Sequence, residues 1–300
     1  MNLTRDGRSD AHDRGEGPPA PALGGPAGLS PVALWTAQAH AAETVGGNPC
    51  LRDPLAAEFL RAAGATGGPP GSGPLQRLLP GWMVVRSRFF DDYLVHAAGT
   101  GCRQVVLLGA GLDTRAFRLP WPDGVTVFEV DRPDVHAFKE RVLGGRRPHR
   151  ARRLPVRADP TGSWVAALAF AGFDPGLPTV WLCETLLYHL EPGEVAGIVD
   201  AMGKLSPPGS ALAAECVNAQ SSGSPLVASF LDALAGAGLR WKWSLPDPAD
   251  WWGRQGWNAE IADPFELPGV AEKLLPHLDG LSAEDVEGVE EWLFLVTGTR

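Results

Sequence analysis

The chain has 300 residues, of which 44% are hydrophobic and 20% charged, and a formal net charge of −9. Such a chain is long enough for one large α/β domain and is globular rather than disordered in composition. Its acidic balance argues against nucleic acid as a partner, because phosphate binding relies on clustered Lys and Arg; the basic run from Arg146 to Arg153 reads as a solvated loop and helix end.

Four cysteines, Cys50, Cys102, Cys183 and Cys216, are too far apart for a CxxC pair, so neither a zinc site nor a redox motif is expected. They read as reduced thiols of a cytoplasmic protein. No apolar run approaches the roughly 18 residues of a membrane span, and no signal-peptide core stands at the start.

Residues 1–29 hold Gly, Pro, Ala, Asp and Arg with little to bury, and are expected to be a disordered tail ahead of a single domain, 30–300. Ser30-Pro31 and Asp53-Pro54 each pair an N-cap with proline at the first helical position. The first helix should end at Gly46-Gly47 and the second at Gly64. Residues 65–80 read as a mobile Gly/Pro loop, and Trp82 to Ala98 as a longer helix with Trp82, Val85, Phe89 and Tyr93 on one face and Arg86 beside it. These segments, 30–98, would form a helical lid on a core of 99–300.

The core alternates strands and helices. Val105 to Leu108, Val125 to Val130, a stretch around Leu154 and Val156, Thr179 to Glu184, and Ala211 to Val217 read as strands. Helices are expected at 132–142, Trp164 to Phe170, Pro192 to Leu205, and from Ser229 to Gly236 or Gly238. Leu239, Trp241 and Trp243 alternate with polar residues, the period of a half-buried strand. A Trp-rich insertion at about 240–260 is expected to cap the site, and 292–296 to form a last strand. The alternation implies an α/β, Rossmann-like, doubly wound and mostly parallel sheet.

In such a sheet, ligands bind outside the carboxyl ends of the strands. There the first strand runs into Gly109-Ala110-Gly111, where backbone can approach a ligand, and the next ends at Asp131, 22 residues after Gly109, placed to take both hydroxyls of a ribose. Asp159 and Glu184 follow later strands to the same edge. Each alone has an ordinary reading: a strand-to-helix turn, N-caps at Asp131 and Asp159, an exposed acid at Glu184. A dinucleotide fingerprint wants a third glycine where this chain has Thr114, and Asp113 would repel a pyrophosphate. Ribose and adenine without phosphates, as in S-adenosylmethionine, fit better.

The string Leu108-Gly109-Ala110-Gly111-Leu112-Asp113-Thr114-Arg115 with Phe128-Glu129-Val130-Asp131 resembles the leucine carboxyl methyltransferase family, in its bacterial branch of S-adenosylmethionine-dependent O-methyltransferases linked to secondary metabolism. Ala33-Leu34-Trp35, Arg52 to Ala56, Arg86 to Asp92 and Trp181 to Glu184 extend the likeness. It implies that Gly109, Ala110 and Gly111 line the cofactor, that Asp131 holds the ribose, and that Asp159 lies by the adenine. Pro160 stands where the family has Leu. Glu184 would take the cofactor's amino group and Arg86 its carboxylate, as opposite charges on a zwitterionic tail suggest independently. The other reading of Arg86 is a salt bridge to Asp91 or another local acid.

The expected acceptor is a small molecule, an aromatic or apolar acid, with no nucleic-acid or membrane partner; a homodimer is left open. A carboxylate is already ionised at neutral pH and needs no base. A phenol or alcohol would, with Tyr188 or His189 as the candidates. Trp82, Phe89, Tyr188 and Trp252 are the candidate substrate contacts, core packing being the other reading of the tryptophans. A nicotinamide-dependent oxidoreductase and a non-catalytic cofactor binder are the competing functions.

Overall fold

The structure, a computed structural model, describes residues 28–71, 73–221, 225–262 and 293–300. The expected tail up to residue 27 and Trp292 lie outside them. Three helices lead the chain: α1 (Pro31–Thr44), α2 (Pro54–Ala63) and α3 (Pro74–Thr100). The start signals act as expected: Ser30 Oγ accepts from Val32 N at 3.3 Å, and the Asp53 carboxylate from Ala56 N at 3.2 Å. Gly64 ends α2 with a left-handed φ of 62°. The loop expected over 65–80 is shorter, because α3 begins at Pro74. Leu75, Leu78, Leu79 and Trp82 form a buried stripe at helical spacing that outweighs Pro80, whose ring nitrogen has no proton for the helical ladder.

The core follows as β1 (Gln104–Leu108), α4 (Arg115–Arg118), β2 (Thr126–Asp131), α5 (Pro133–Leu143), β3 (Arg152–Arg157), α6 (Trp164–Phe170), β4 (Thr179–Cys183), α7 (Pro192–Lys204), β5 (Ala211–Val217), α8 (Pro225–Gly236), α9 (Pro248–Arg254), β6 (Asn258–Ala262) and β7 (Leu293–Thr299). The strands form one sheet in the order β3-β2-β1-β4-β5-β7-β6. β1 to β5 are parallel, β7 is antiparallel to β5, and β6 is antiparallel to β7. Alternation along the buried strands splits the apolar side chains between two faces. Val105, Leu107, Val180 and Leu182 face α1, α3 and α8 through Trp82, Phe90, Leu94 and Phe230. Val106, Leu108, Trp181 and Leu212 face α6, α7 and α9 through Trp164, Ile198, Met202 and Trp252.

Two expectations fail in the Trp-rich stretch. Residues 239–243 are not a strand, although Trp243 is buried between exposed Lys242 and Ser244 as the alternation implied. The sheet position beside β5 is taken by β7, so this backbone bonds to loops instead: Lys242 N donates to Tyr188 O at 2.7 Å and Leu245 N to Val217 O at 2.9 Å. Nor is 240–260 simply a cap. It contains the unforeseen helix α9, whose Trp252 is fully buried in the second core beside Trp243 and Trp257, and the unforeseen strand β6.

Candidate functional site

A cavity of about 650 Å³ lies at the carboxyl ends of β1, β2 and β4, under the start of α1. The turn after β1 shapes its floor. Gly109 and Gly111 have φ of 67° and 44°, and Gly109 N and Ala110 N both donate to Val130 O. A Cβ on Gly109 would meet Leu186 Cδ1 at 3.1 Å, and one on Gly111 would touch Ala33 at 3.4 Å. Backbone therefore forms the cavity wall here, where any side chain would be both strained and crowded. Asp131 Oδ2 accepts from Gly111 N at 2.6 Å and Oδ1 from Arg132 N at 2.7 Å. A carboxylate has about four acceptor sites, so it retains capacity for a diol.

The Asp113 charge does not face a ligand unmatched, as the argument against a pyrophosphate assumed. Its Oδ1 accepts from Arg115 N at 2.6 Å and its Oδ2 pairs with the Arg115 guanidinium. What disfavours a pyrophosphate is instead α4, a helix of only four residues, too short to present an N-terminal dipole to phosphates.

Arg86, from the middle of α3, meets Glu184 at the end of β4. Its Nε donates to Glu184 Oε1 at 2.7 Å; Arg115 Nη1 lies 2.6 Å from Oε2, and Ser87 Oγ donates to Oε1 at 2.9 Å. Burial alone would raise the Glu184 carboxyl, but Arg115 and Arg86 outweigh it and hold it far below the usual range. Arg86 thus pairs with a distant acid rather than with Asp91, which binds Arg115 and Arg118. Arg86 also reaches Glu215 of β5, with Nη1 at 3.2 Å from both oxygens.

Arg86, Gly109, Ala110, Gly111, Asp131, Asp159, Pro160 and Glu184 all line this one cavity. Asp159 is exposed, its Oδ1 accepting from Thr161 N and Oγ1 at 2.9 and 2.7 Å, which lowers its pKa. The expected substrate contacts divide. Trp82 and Tyr188 line a side cavity of about 30 Å³, and His189 lines both cavities. Phe89 lines neither, its ring lying against Phe90 at 5.5 Å between centroids; Trp252 lines neither, since it packs on the opposite face of the sheet. Both are removed from the substrate contacts.

Other residues here were not among the site candidates expected from the sequence. Asp53, noted only as a helix cap, has Oδ2 3.1 Å from His40 Nδ1, and His40 Nε2 is 3.0 Å from Ser87 Oγ. This is an Asp–His–Ser chain, but the serine proton is directed to Glu184, so no nucleophile is poised. Glu215 and Thr185 are also new. Thr185 is the one non-glycine residue with positive φ among the described residues, at 52°. Among the described residues no cluster of His, Cys, Asp and Glu suits a metal ion, and no helix is long and apolar enough to cross a membrane.

The cavity suits a ligand with a diol and a zwitterionic tail. A family profile described as leucine carboxyl methyltransferase matches residues 33–203. A protein of Parafrankia sp. (strain EAN1pec), named as an S-adenosyl-L-methionine-dependent methyltransferase, is 41% identical over 261 residues, covering 84% of each chain. One of the same name from Mycobacteroides abscessus is 33% identical over 288 residues, 90% of this chain and 94% of that protein. Among solved structures, a DUF574 family protein from Streptomyces avermitilis MA-4680 shares the fold with a TM-score of 0.55 at 16% identity, over 88% of this chain and 97% of its own. The match spans α1 to α7 and so takes in the glycine turn, Asp131 and Glu184: the chain belongs to the leucine carboxyl methyltransferase family and is an S-adenosylmethionine-dependent methyltransferase.

Proposed function

We propose that the chain transfers a methyl group to an oxygen of a small molecule, and that the acceptor is the carboxylate of an apolar or aromatic acid of secondary metabolism. The residues present fit the cofactor: side-chain-free backbone at Gly109 and Gly111, an acceptor-rich Asp131 for the ribose hydroxyls, and one group of each charge, Arg86 and Glu184, for the amino-acid tail. Asp159 would face the adenine, while Pro160 has no N–H to offer it. When bound, the sulfonium supplies an electrophilic methyl group; the chain contributes alignment and exclusion of water.

The observation that favours a carboxylate is the far wall of the cavity. Half-buried Leu186, Leu190 and Leu239 stand there with exposed Arg240 and Lys242. Lys242 pairs with Glu191 at 3.0 Å, whereas Arg240 has no ion pair among the described residues. Matched aromatic acids and phenols offered with S-adenosylmethionine test this. Acids should be methylated, and Arg240→Ala should raise their KM about 10-fold with kcat little changed. Turnover of phenols alone would refute the carboxylate.

His189 favours a second reading, a hydroxyl acceptor. Its Nδ1 lies 3.1 Å from Arg240 O and so donates, leaving a lone pair on Nε2, which is buried without a partner. Burial lowers its pKa, so the ring is neutral at pH 7 and able to act as a base. Tyr188 is no base: burial and the neighbouring Glu215 push its pKa well up, and its hydroxyl donates to Glu215 at 3.0 Å. The proposed cytoplasmic setting rests on the four cysteines, no two of which form a disulfide among the described residues.

A further inference from the structure

We propose that Glu215 is a positioning residue that fixes both halves of the clamp for the cofactor's amino-acid tail. The proposal rests on Arg86 binding the tail carboxylate and Glu184 the amino group.

Glu215 is the only charged residue in the apolar strand Ala-Leu-Ala-Ala-Glu-Cys-Val, and it is fully buried. Burying a carboxylate is costly before compensation, and a hydrophobic residue often serves stability as well or better. Glu215 is compensated from four directions. Oε1 accepts from Trp82 Nε1 at 3.0 Å and from Arg86 Nη1; Oε2 accepts from Arg86 Nη1, from Tyr188 Oη at 3.0 Å and from Thr185 N at 3.2 Å. These donors come from α3, from the turn after β4, and from the short 3-10 helix Leu187–His189.

Two of the contacts bear on the cofactor tail. The guanidinium has five N–H donors in one plane. Glu184 takes Nε–H and Glu215 takes Nη1, which fixes the plane; among the described residues Nη2 has only Thr36 Oγ1, at 3.5 Å, and remains for a carboxylate in the cavity that Arg86 and Thr36 both line. On the other side, Thr185 holds a φ of 52°, a left-handed conformation that is strained for a threonine. Its N–H is anchored on Glu215, and this anchored turn directly follows Glu184. The cationic and the anionic halves of the clamp therefore hang from one carboxylate behind the cavity wall.

Two probes separate this role from a general structural one. S-adenosylhomocysteine carries the amino-acid tail; 5′-methylthioadenosine shares the ribose and adenine but lacks it. Binding of each to the full chain is measured by calorimetry. In Glu215→Gln the first should bind about 10-fold more weakly or worse, since a charge-assisted contact is misaligned, and the second within about 2-fold of wild type. Equal loss of both probes, or unchanged S-adenosylhomocysteine binding, overturns the proposal. If Glu215→Gln does not fold, Glu215→Asp keeps the charge but withdraws the carboxylate, and the same criterion applies. Adding Glu215→Gln to Arg86→Lys should weaken S-adenosylhomocysteine further through the Glu184 half alone, and so by less than Glu215→Gln does in wild type; a full additional loss shows that Glu215 does not act through Arg86 and overturns the claim that it fixes both halves. Arg86→Lys binding S-adenosylhomocysteine like wild type would remove the Arg86 assignment itself, and the proposal with it. A loss in Arg86→Lys without one in Glu215→Gln overturns the role of Glu215 alone.

Discussion

Two buried carboxylates of the same sheet, Glu129 on β2 and Glu215 on β5, are equally inaccessible, and both are bound to cations. Their surroundings differ. Lys139 Nζ and Arg153 Nη2 each lie 2.8 Å from Glu129 Oε2, and Arg153 turns its other nitrogen to Glu140 at 2.6 Å. None of these residues lines either of the two cavities, and the cluster's spare atoms, Glu129 Oε1 and Arg153 Nε, are buried away from them without a hydrogen-bond partner among the described residues. Beside it, His136 is buried with neither ring nitrogen bonded, and burial lowers its pKa so that it stays neutral. Around Glu215, by contrast, every donor belongs to a residue that lines a cavity, and Arg86 has donors left over. Burial and bound cations therefore do not distinguish the proposed positioning acid from a structural one; an unused donor facing open space does. The family string makes the point within three residues, since Glu-Val-Asp contributes a structural acid at 129 and a cavity acid at 131.

If the contrast is right, the largest effect comes from the Glu129 cluster. Glu129→Ala leaves the buried Lys139 unmatched and takes from Arg153 one of its two carboxylate partners, and should cost about 3–5 kcal/mol of stability in denaturant titration. The dissociation constant of S-adenosylhomocysteine for the folded variant should be unchanged, and a weakened constant would join the two clusters functionally. The acid limb comes next. Burial raises the Glu129 carboxyl, but Lys139 and Arg153 outweigh it and bring it from 4.5 to about 2. A depressed folded value gives stability that is complete above the unfolded pKa and is lost as pH falls through the folded one. Wild type should lose on the order of 3 kcal/mol more than Glu129→Ala between pH 4.5 and 2; parallel acid limbs would show that Glu129 is not ionised in the fold. The smallest effect concerns Asp131→Ala. Losing two hydrogen bonds to a charged acceptor should weaken S-adenosylhomocysteine and 5′-methylthioadenosine alike by about 2–3 kcal/mol, because both carry the ribose. Loss of the first probe alone would move Asp131 to the tail end of the site.

The parts of the site legible in the sequence were those that local backbone chemistry dictates. Gly109-Ala110-Gly111 had to turn because nothing else accommodates those φ values beside Leu186, and Asp131 and Glu184 stand where parallel strands run out. What pairs with what over long distances was not legible. Trp243 follows a strand-like alternation, but periodicity reports which side chains are buried and not which neighbour the backbone bonds; β7 had the place. Trp252 read as a substrate contact because aromatic residues serve cores and pockets equally well, and only packing separates them. Glu215 did leave a trace, a lone acid inside an apolar strand, which in a buried strand implies cationic partners. His40 and Ser87 left none, since they are brought together only when α1 packs on α3.

The place of β7 has a consequence for how the sheet is made. β5 pairs with β7 at a separation of 76 to 88 residues and β1 with β4 at 75, whereas the β1–β2, β2–β3 and β4–β5 partners lie 22 to 31 residues apart. Pairings of long sequence separation close late, because the entropy of loop closure precedes any gain from contact. Until residues 293–299 dock, β5 is an apolar edge, open to strands of other chains. Aggregation during refolding should begin on this side of the sheet, and a lone acid in the middle of that edge works against it.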